Sequence, residues 1–215
     1  MATEDRRSRR TRSALRSALV DLVLERGYAA VTVEQVVERA DVGRATFYTH
    51  FSDKQSLYDD LVAALLADLA ARLEPGDTAG PGFTGRPVHA LFEHAEDQEA
   101  TYRMVLRGDG DGRALRSLTD ALAGAALRVF EDRVAEQGLA PRVDLRVLAR
   151  AWVGEQLAVL TWWLAEEPRP LPRADVVVML ADLARHGRWW ATGFGDDAPD
   201  APDVLGGADS PVPLV

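Results

Sequence analysis

The stretch TVEQVVERADVGRATFYTHFSDKQSL, residues 32–57, determines how the first part of this chain folds. It begins with Thr32, whose side chain suits a helix N-cap, and Gln35 follows three residues later as in a capping box. After a tight turn containing a glycine, a second short helical segment places Phe47 and Phe51 four residues apart on one face. Two short helices joined by such a turn predict a helix-turn-helix, whose second helix would enter the DNA major groove.

Helical spacing continues on both sides of this stretch, and no alternating strand pattern is present. Before it, a longer helix is expected from about Ser8 to Arg26, where Gly27 gives a stop signal. The segment 74–87 is rich in glycine and proline and is expected to be a loop. We therefore expect an all-α fold of about nine helices, a three-helix head followed by a larger helical body. Beyond the head, helices are expected at about 54–73, 87–97, 99–107, 113–137, 143–165 and 173–192.

Charge is distributed unevenly along the chain. The formal net charge is −9, but residues 1–54 carry 10 basic and 8 acidic side chains, and six arginines fall within residues 1–16. A protein that holds phosphates with one end needs positive charge only there. The other interpretation is that these arginines form a solvated basic arm, so charge alone does not decide for DNA.

The second short helix, RATFYTH, offers hydroxyls, an arginine, an aromatic ring and an imidazole, and no acid. Arg44 could read guanine with two hydrogen bonds, and Thr46 could contact a base edge or a thymine methyl group. The other polar side chains of this surface suit phosphate contacts, and Lys54 adds a cation at the start of the next helix. These phosphate candidates are Tyr48, Thr49 and His50.

The stretch from about Arg9 to Leu66 resembles the TetR family of bacterial regulators. The resemblance depends on Gly27-Tyr28, Thr32-Val33, Val36, Ala40, Val42-Gly43, Thr46-Phe47-Tyr48-Thr49-His50-Phe51, Lys54 and Leu57. It implies an all-helical homodimer with a DNA-binding head and a regulatory body. It also implies DNA contacts by Thr32, Arg44, Thr46, Tyr48, His50 and Lys54, with Arg44 and Ala45 at positions that often read bases.

These observations predict a domain organisation. We expect residues 1–54 to form the DNA-binding domain, with a basic arm at 1–8, and residues 55–193 to form a regulatory and dimerisation domain. Residues 194–215, rich in glycine, proline and aspartate, are expected to be a disordered tail.

The resemblance further implies that the helices at 143–165 and 173–192 pack against their copies in a dimer. Apolar stripes on both helices are consistent with this, although such stripes could instead close the core of one protomer. A small, mainly apolar effector is expected to bind in the body. The stripes are Ala149, Trp152, Val153, Gln156, Val159, Leu160 and Trp163, and Val177, Leu180, Ala181, Leu183 and Ala184. The effector candidates are Phe92, Tyr102, Met104, Phe130, Trp152, Gln156 and Trp163.

Several other classes of protein are disfavoured. The chain has no cysteine, no apolar run long enough to span a membrane and no phosphate-binding loop or nucleophile motif, so we expect a cytoplasmic protein without enzyme activity, cofactor or metal. The functional hypothesis is a ligand-responsive regulator, most simply a repressor, of a near-palindromic double-stranded operator. The alternatives are a helical enzyme or small-molecule carrier with a vestigial head, and a regulator that activates or answers to a protein partner.

Overall fold

A computed structural model describes residues 2–73, 85–138 and 140–191, and the expected tail at 194–215 lies outside them. Over these residues the regular structure is helical throughout, with one 3-10 turn (Tyr28–Ala30) and nine α-helices, which confirms the all-α expectation. The helices are α1 (Ala2–Arg26), α2 (Val33–Arg39), α3 (Arg44–His50), α4 (Lys54–Arg72), α5 (Arg86–Asp97), α6 (Glu99–Leu106), α7 (Arg113–Gln137), α8 (Leu145–Ala165) and α9 (Arg173–Ala191).

The expected basic arm is helical. Helix α1 begins at Ala2, so the prediction of a helix starting near Ser8 was wrong by more than a turn. Neither glycine nor proline occurs before Gly27, and arginine and alanine favour helix, so nothing in this segment ends the helix early. The arginines at its start are therefore carried on a helix that continues into the core.

The predicted capping box of α2 is present. The Thr32 hydroxyl accepts a hydrogen bond from the Gln35 backbone N–H (3.3 Å), and the Gln35 carboxamide accepts one from Thr32 N–H (2.9 Å). A second capping box at the start of α4 joins Asp53 and Ser56. Each cap contributes about 1 kcal/mol to helix stability, so α2, with only seven residues, depends on its own cap.

We call α1, α2, α3 and the first turns of α4 the head. Its core is closed by Phe47 and Phe51, whose rings lie 5.8 Å apart and are 0% and 5% exposed. They pack with buried residues of the three other helices, among them Leu19, Val36 and Leu57. Because Phe47 anchors the inner side of α3, the other side of this helix faces outward.

The ammonium group of Lys54 ties the start of α4 to the connector between α1 and α2. Its Nζ donates to the backbone carbonyls of Tyr28 and Val31, both at 2.6 Å, and lies 4.1 Å from the centre of the Tyr28 ring. Burial lowers the pKa of Lys54, and the two carbonyls supply the polar contacts that the ammonium loses with water.

The body, which comprises the rest of α4 and helices α5–α9, is built on the pairing of α7 with α8, and α9 packs against α5. The predicted stripe of α8 is the face that pairs within the protomer, since Ala149, Val153 and Leu160 are at most 1% exposed. The proposal that this face forms the dimer interface was wrong, and it closes the protomer's own core. On α9, Val177 and Leu180 are likewise buried inside the protomer.

The body contacts the head through α6, which packs on α1, and through the loop that joins α6 to α7. The hydroxyl of Tyr58 donates to the carbonyl of Asp109 in this loop (2.9 Å). Gly110 has a φ of 70°, and a Cβ there would lie 3.3 Å from the Tyr28 ring, so both backbone conformation and close approach favour glycine. The GDGDG segment, residues 108–112, therefore breaks the helical structure between the two helices expected at 99–107 and 113–137, and it also lies against the head.

A buried histidine lies where α4, α5 and α6 meet. His94 is 0% exposed, and its Nδ1 and Nε2 lie 2.9 Å from the Tyr102 hydroxyl and from the Asp68 carboxylate. With its proton on Nε2, the neutral ring donates to Asp68 and accepts from Tyr102, so both nitrogens are satisfied. Burial lowers the pKa of His94, against the opposing effect of the Asp68 carboxylate.

Replacement of Lys54 should destabilise the head. Lys54→Met leaves two carbonyls without their charged donor, and we expect a loss of about 1.5–3 kcal/mol in the free energy of unfolding. Lys54→Arg should not restore it, because a planar guanidinium cannot replace a compact ammonium between two carbonyls and a ring. Urea unfolding measures both variants. Full stability of Lys54→Arg would contradict the geometric argument.

His94 should make stability fall with acid. Because its folded pKa lies below that of an unfolded histidine, the unfolded chain binds the proton first, and stability is lost as pH falls from about 6.5 through the folded pKa. Urea unfolding between about pH 7.5 and 5 should show this slope, reduced in His94→Gln. His89→Gln, at an exposed position of the same helix, is the control and should keep the slope. Equal slopes in both variants would contradict the prediction.

Candidate DNA-binding surface and ligand cavity

The outer side of α3 presents the residues that the sequence selected for DNA. Arg44, Ala45, Thr46, Tyr48 and Thr49 are exposed, and His50 is half-buried. The helix contains no acid and begins directly after Gly43, its N-cap. A phosphate approaching this face would meet no negative side chain of α3 itself.

Arg44 is held by two neighbours in the free protein. Its guanidinium forms an ion pair with Glu34 of α2 (2.6 Å) and lies 5.8 Å from the centre of the Tyr48 ring. Hydrogen bonding to Tyr48 and the charge of Glu34 raise the pKa of Arg44 further. Both partners of the ion pair are more than half exposed, so the pair is weak and exchangeable. The position of Glu34 in the first turn of α2 follows from the sequence, whereas its pairing with Arg44 depends on how α2 and α3 pack.

The hydroxyl groups of this surface differ in the hydrogen bonds that they already make within the protein. Thr49 donates to the carbonyl of Ala45 within α3 (3.1 Å). The Thr32 hydroxyl accepts the capping bond from Gln35 and keeps its own proton to donate. Tyr48, 49% exposed, carries a hydroxyl on a ring that packs edge-on against Phe47. Tyr48 is therefore the largest outward side chain of α3 and is positioned by the core.

Two arginines of α1 are occupied inside the head. Arg16 binds Asp60 through both Nε (2.7 Å) and Nη2 (2.6 Å), and Arg12 lies 3.8 Å from the same carboxylate and over the Phe51 ring. Arg6, Arg7 and Arg10 are exposed nearer the start of the helix. The basic segment thus divides into a part that braces α1 against α4 and a part that faces solvent.

The body contains a cavity of about 390 Å³ between the end of α4 and helices α5, α7 and α8, within the size range of ligand sites. Trp152 and Gln156 of α8 lie in its wall, as the sequence analysis proposed for effector residues. The Trp152 ring meets Phe130 edge-on at 6.3 Å. The remaining lining, which the sequence analysis did not select, is Leu73, Pro87, Val88, Leu91, Leu122, Ala125, Ala126, Arg128, Val129, Asp132 and Val153.

The other effector candidates lie elsewhere in the body. Phe92, Tyr102, Met104 and Trp163 are at most 1% exposed and Phe130 is 7% exposed, and none of these five is among the lining residues of this cavity. Trp163 donates its indole N–H to the carbonyl of Leu171 (2.9 Å), and its ring packs against Phe92. These side chains therefore belong to the core, and of the effector candidates only Trp152 and Gln156 lie in the cavity wall.

A larger cleft of about 570 Å³ runs between α1 and helices α4–α6. Two carboxylates in its wall are paired with arginines: Asp97 binds Arg72 at 2.8 Å, and Glu99 binds Arg169 at 2.6 Å. Since these ion pairs join elements of the fold, the cleft is better described as a charged seam between head and body than as an effector site.

Two further features of the described residues bear on function. No three histidine, aspartate or glutamate side chains come together there in a group that could hold a metal ion. None of the helices described has the length and apolar character that crossing a bilayer demands.

Comparison with known proteins assigns the head to a family. Residues 15–61 match the family model of bacterial regulatory proteins, tetR family. The chain is 38% identical over 85 residues to YdeS, an uncharacterised HTH-type transcriptional regulator of Bacillus subtilis, covering 40% of this chain and 38% of that protein. It is 36% identical over 126 residues to the HTH-type transcriptional regulator TcmR of Streptomyces glaucescens, covering 59% and 50%. The chain thus spans half or less of the length of these relatives.

The fold extends the likeness beyond the head. A TetR transcriptional regulator from Streptococcus agalactiae superposes with a TM-score of 0.61 at 22% identity, covering 85% of this chain and 98% of that one. Residues 15–61 thus match the N-terminal region of the tetR family of bacterial regulatory proteins, and the described chain as a whole shares the fold of a solved TetR regulator.

Proposed function

We propose that the chain is a transcriptional regulator that binds a near-palindromic operator as a homodimer and is released, as a repressor, by a small and mainly apolar ligand. The observation that carries this proposal is the outward face of α3, which is exposed, free of acids and anchored from behind by Phe47. A helix so presented fits the major groove.

Roles on DNA follow from chemistry and position. Arg44 exchanges Glu34 for a guanine edge, and Ala45 and Thr46 face neighbouring bases. The phosphate contacts come from Thr32, Tyr48, Thr49 and His50. Lys54 uses two of its three N–H donors on the carbonyls of Tyr28 and Val31, which leaves the third for a phosphate.

A dimer interface is supported by the apolar surface that remains on the protomer. Of the six large apolar side chains that are exposed in the described residues, five lie between Val143 and Met179. On α8 an exposed stripe of mainly small residues runs opposite the buried one, and a Cβ added at Gly154 would meet nothing within 4 Å. Small residues let a second helix approach closely. The stripe comprises Val147, Ala151, Gly154, Ala158, Trp162 and Ala165.

Ligand control is supported by two connections between cavity and head. Leu73, just after α4, lines the cavity, and the same helix begins at Lys54 in the head. Helix α7 also lines the cavity and starts from the loop that holds Tyr58 and Tyr28. A ligand that favours one position of these helices shifts the spacing of the two heads.

The DNA roles are tested by selection of operator fragments from a random library, followed by affinity measurements across salt concentrations. Arg44→Ala should change the preferred sequence, because it removes a base contact. The preference at the affected base pair should fall by about 1–3 kcal/mol of binding free energy. Tyr48→Phe should weaken selected and random DNA alike, because it removes a phosphate contact.

Arg142→Ala, at an exposed position before α8 and away from the cavity, is the control for a lost arginine and should leave DNA affinity unchanged. If Arg44→Ala lowers affinity for selected and random DNA equally, Arg44 does not read bases. If wild-type protein enriches no sequence and shows no loss of affinity with salt, the proposed function fails.

The dimer is tested by charge on the exposed stripe. Ala158→Arg places a guanidinium in the proposed interface, and we expect a monomer by sedimentation together with a large loss of operator affinity. Ala67→Arg, at an exposed position of α4 outside the stripe, should leave the dimer intact. A fully dimeric Ala158→Arg would place the interface elsewhere.

A further inference from the structure

Gln156 is unusual among the buried side chains of this protein. It is 1% exposed, and neither its carboxamide oxygen nor its nitrogen has a hydrogen-bond partner. The other buried polar side chain of the described residues, His94, has both ring nitrogens paired. Unpaired buried polar groups are costly and rare in folded proteins, so a carboxamide left unpaired in a cavity wall points to a partner outside the chain.

The surroundings of Gln156 define the rest of that partner. The cavity is lined mainly by aliphatic side chains, such as Val88, Leu91 and Leu122, and by the Trp152 ring. The charged residues in its wall are Arg128 and Asp132, one of each sign on neighbouring turns of α7. A charged ligand would find no net counter-charge there, so a neutral molecule with a flat apolar body fits best.

We propose that this cavity binds a neutral, largely aromatic ligand that presents an N–H donor beside a carbonyl acceptor, as in a lactam or carboxamide, to Gln156. The carboxamide of Gln156 then accepts from the ligand N–H and donates to the ligand carbonyl, which satisfies both of its atoms. This assignment rests on the proposed function only for its regulatory consequence, since binding itself does not require DNA.

The probes are 4-phenylquinolin-2(1H)-one and its N-methyl derivative. They share the ring system and the carbonyl group, but a methyl group replaces the N–H hydrogen in the derivative. Titration calorimetry on the full-length wild-type chain should show the lactam bound about tenfold more tightly than the N-methyl compound. Equal affinities, or no binding of the lactam up to ~1 mM, would overturn the proposal.

The residue is tested by Gln156→Leu, with Gln137→Leu at an exposed position of α7 as the matched control. We expect Gln156→Leu to bind the lactam about tenfold more weakly and the N-methyl compound with unchanged affinity. The variant should also melt at a higher temperature, because the unpaired carboxamide is gone. Gln137→Leu should change neither affinity. Equal losses of affinity for both compounds, or a lower melting temperature, would show that packing or an enclosed water accounts for the unpaired carboxamide of Gln156. Either result would overturn the proposal. The two-ligand comparison needs only wild-type protein and decides even if Gln156→Leu does not fold.

Addition of the lactam to a protein–operator complex separates this proposal from the proposed function. Release of DNA by the lactam, but not by its N-methyl derivative, supports both. Specific lactam binding with no effect on DNA supports the cavity assignment and contradicts ligand control. Operator binding without lactam binding overturns the cavity assignment alone.

Discussion

The head of this protein depends on a single ammonium group held between two backbone carbonyls and an aromatic ring. Lys54 is the only lysine in a chain that otherwise uses arginine for every basic side chain. A compact ammonium can donate to the carbonyls of Tyr28 and Val31 at 2.6 Å and still lie over the Tyr28 ring, whereas a guanidinium spreads its donors in a plane. Because Tyr28 and Val31 lie in the connector between α1 and α2, this contact sets where α4 begins relative to the helix-turn-helix.

Helix α4 carries that constraint into the body. Its 19 residues form a rod about 28 Å long that starts at the Lys54 contact and ends beside the cavity at Leu73. The α6–α7 loop makes a second attachment through the Tyr58 hydroxyl. Cavity and head are thus joined by two separate helices, α4 and α7, and a change in their separation at the cavity must be absorbed at the head. Such an arrangement can couple the two sites without any contact between ligand and DNA.

The sequence predicted those parts of the structure that local chemistry controls. The Thr32 capping box, the Phe47–Phe51 face and the break after α6 all depend on side chains a few residues apart. It marked the apolar stripe of α8 that is buried, but not what this stripe packs against, because helical spacing does not say whether the partner helix belongs to the same protomer or to a second copy. For the same reason helical spacing selects Tyr102 and Met104 as effector candidates, whereas the structure buries both in the core. Helical spacing does not distinguish a core contact from a cavity wall, since that depends on the distance to other helices.

The distribution of charge is compatible with the proposed reading of DNA by an acidic protein. Residues 55–215 carry 15 basic and 26 acidic side chains, so the body repels DNA, but screening at 0.1 M salt confines that repulsion to about 10 Å. Within this range α3 contributes no acid, and its neighbour Glu34 is neutralised by Arg44. If Arg44 reads a base as proposed, Glu34 loses little when the pair breaks, because a surface ion pair contributes at most about 1 kcal/mol. On a sequence that offers Arg44 no acceptor, the Arg44–Glu34 pair stays intact, so under the proposed function the gain from Arg44 is the base contact less the small cost of breaking this pair. The pair therefore positions the arginine at little cost to base reading.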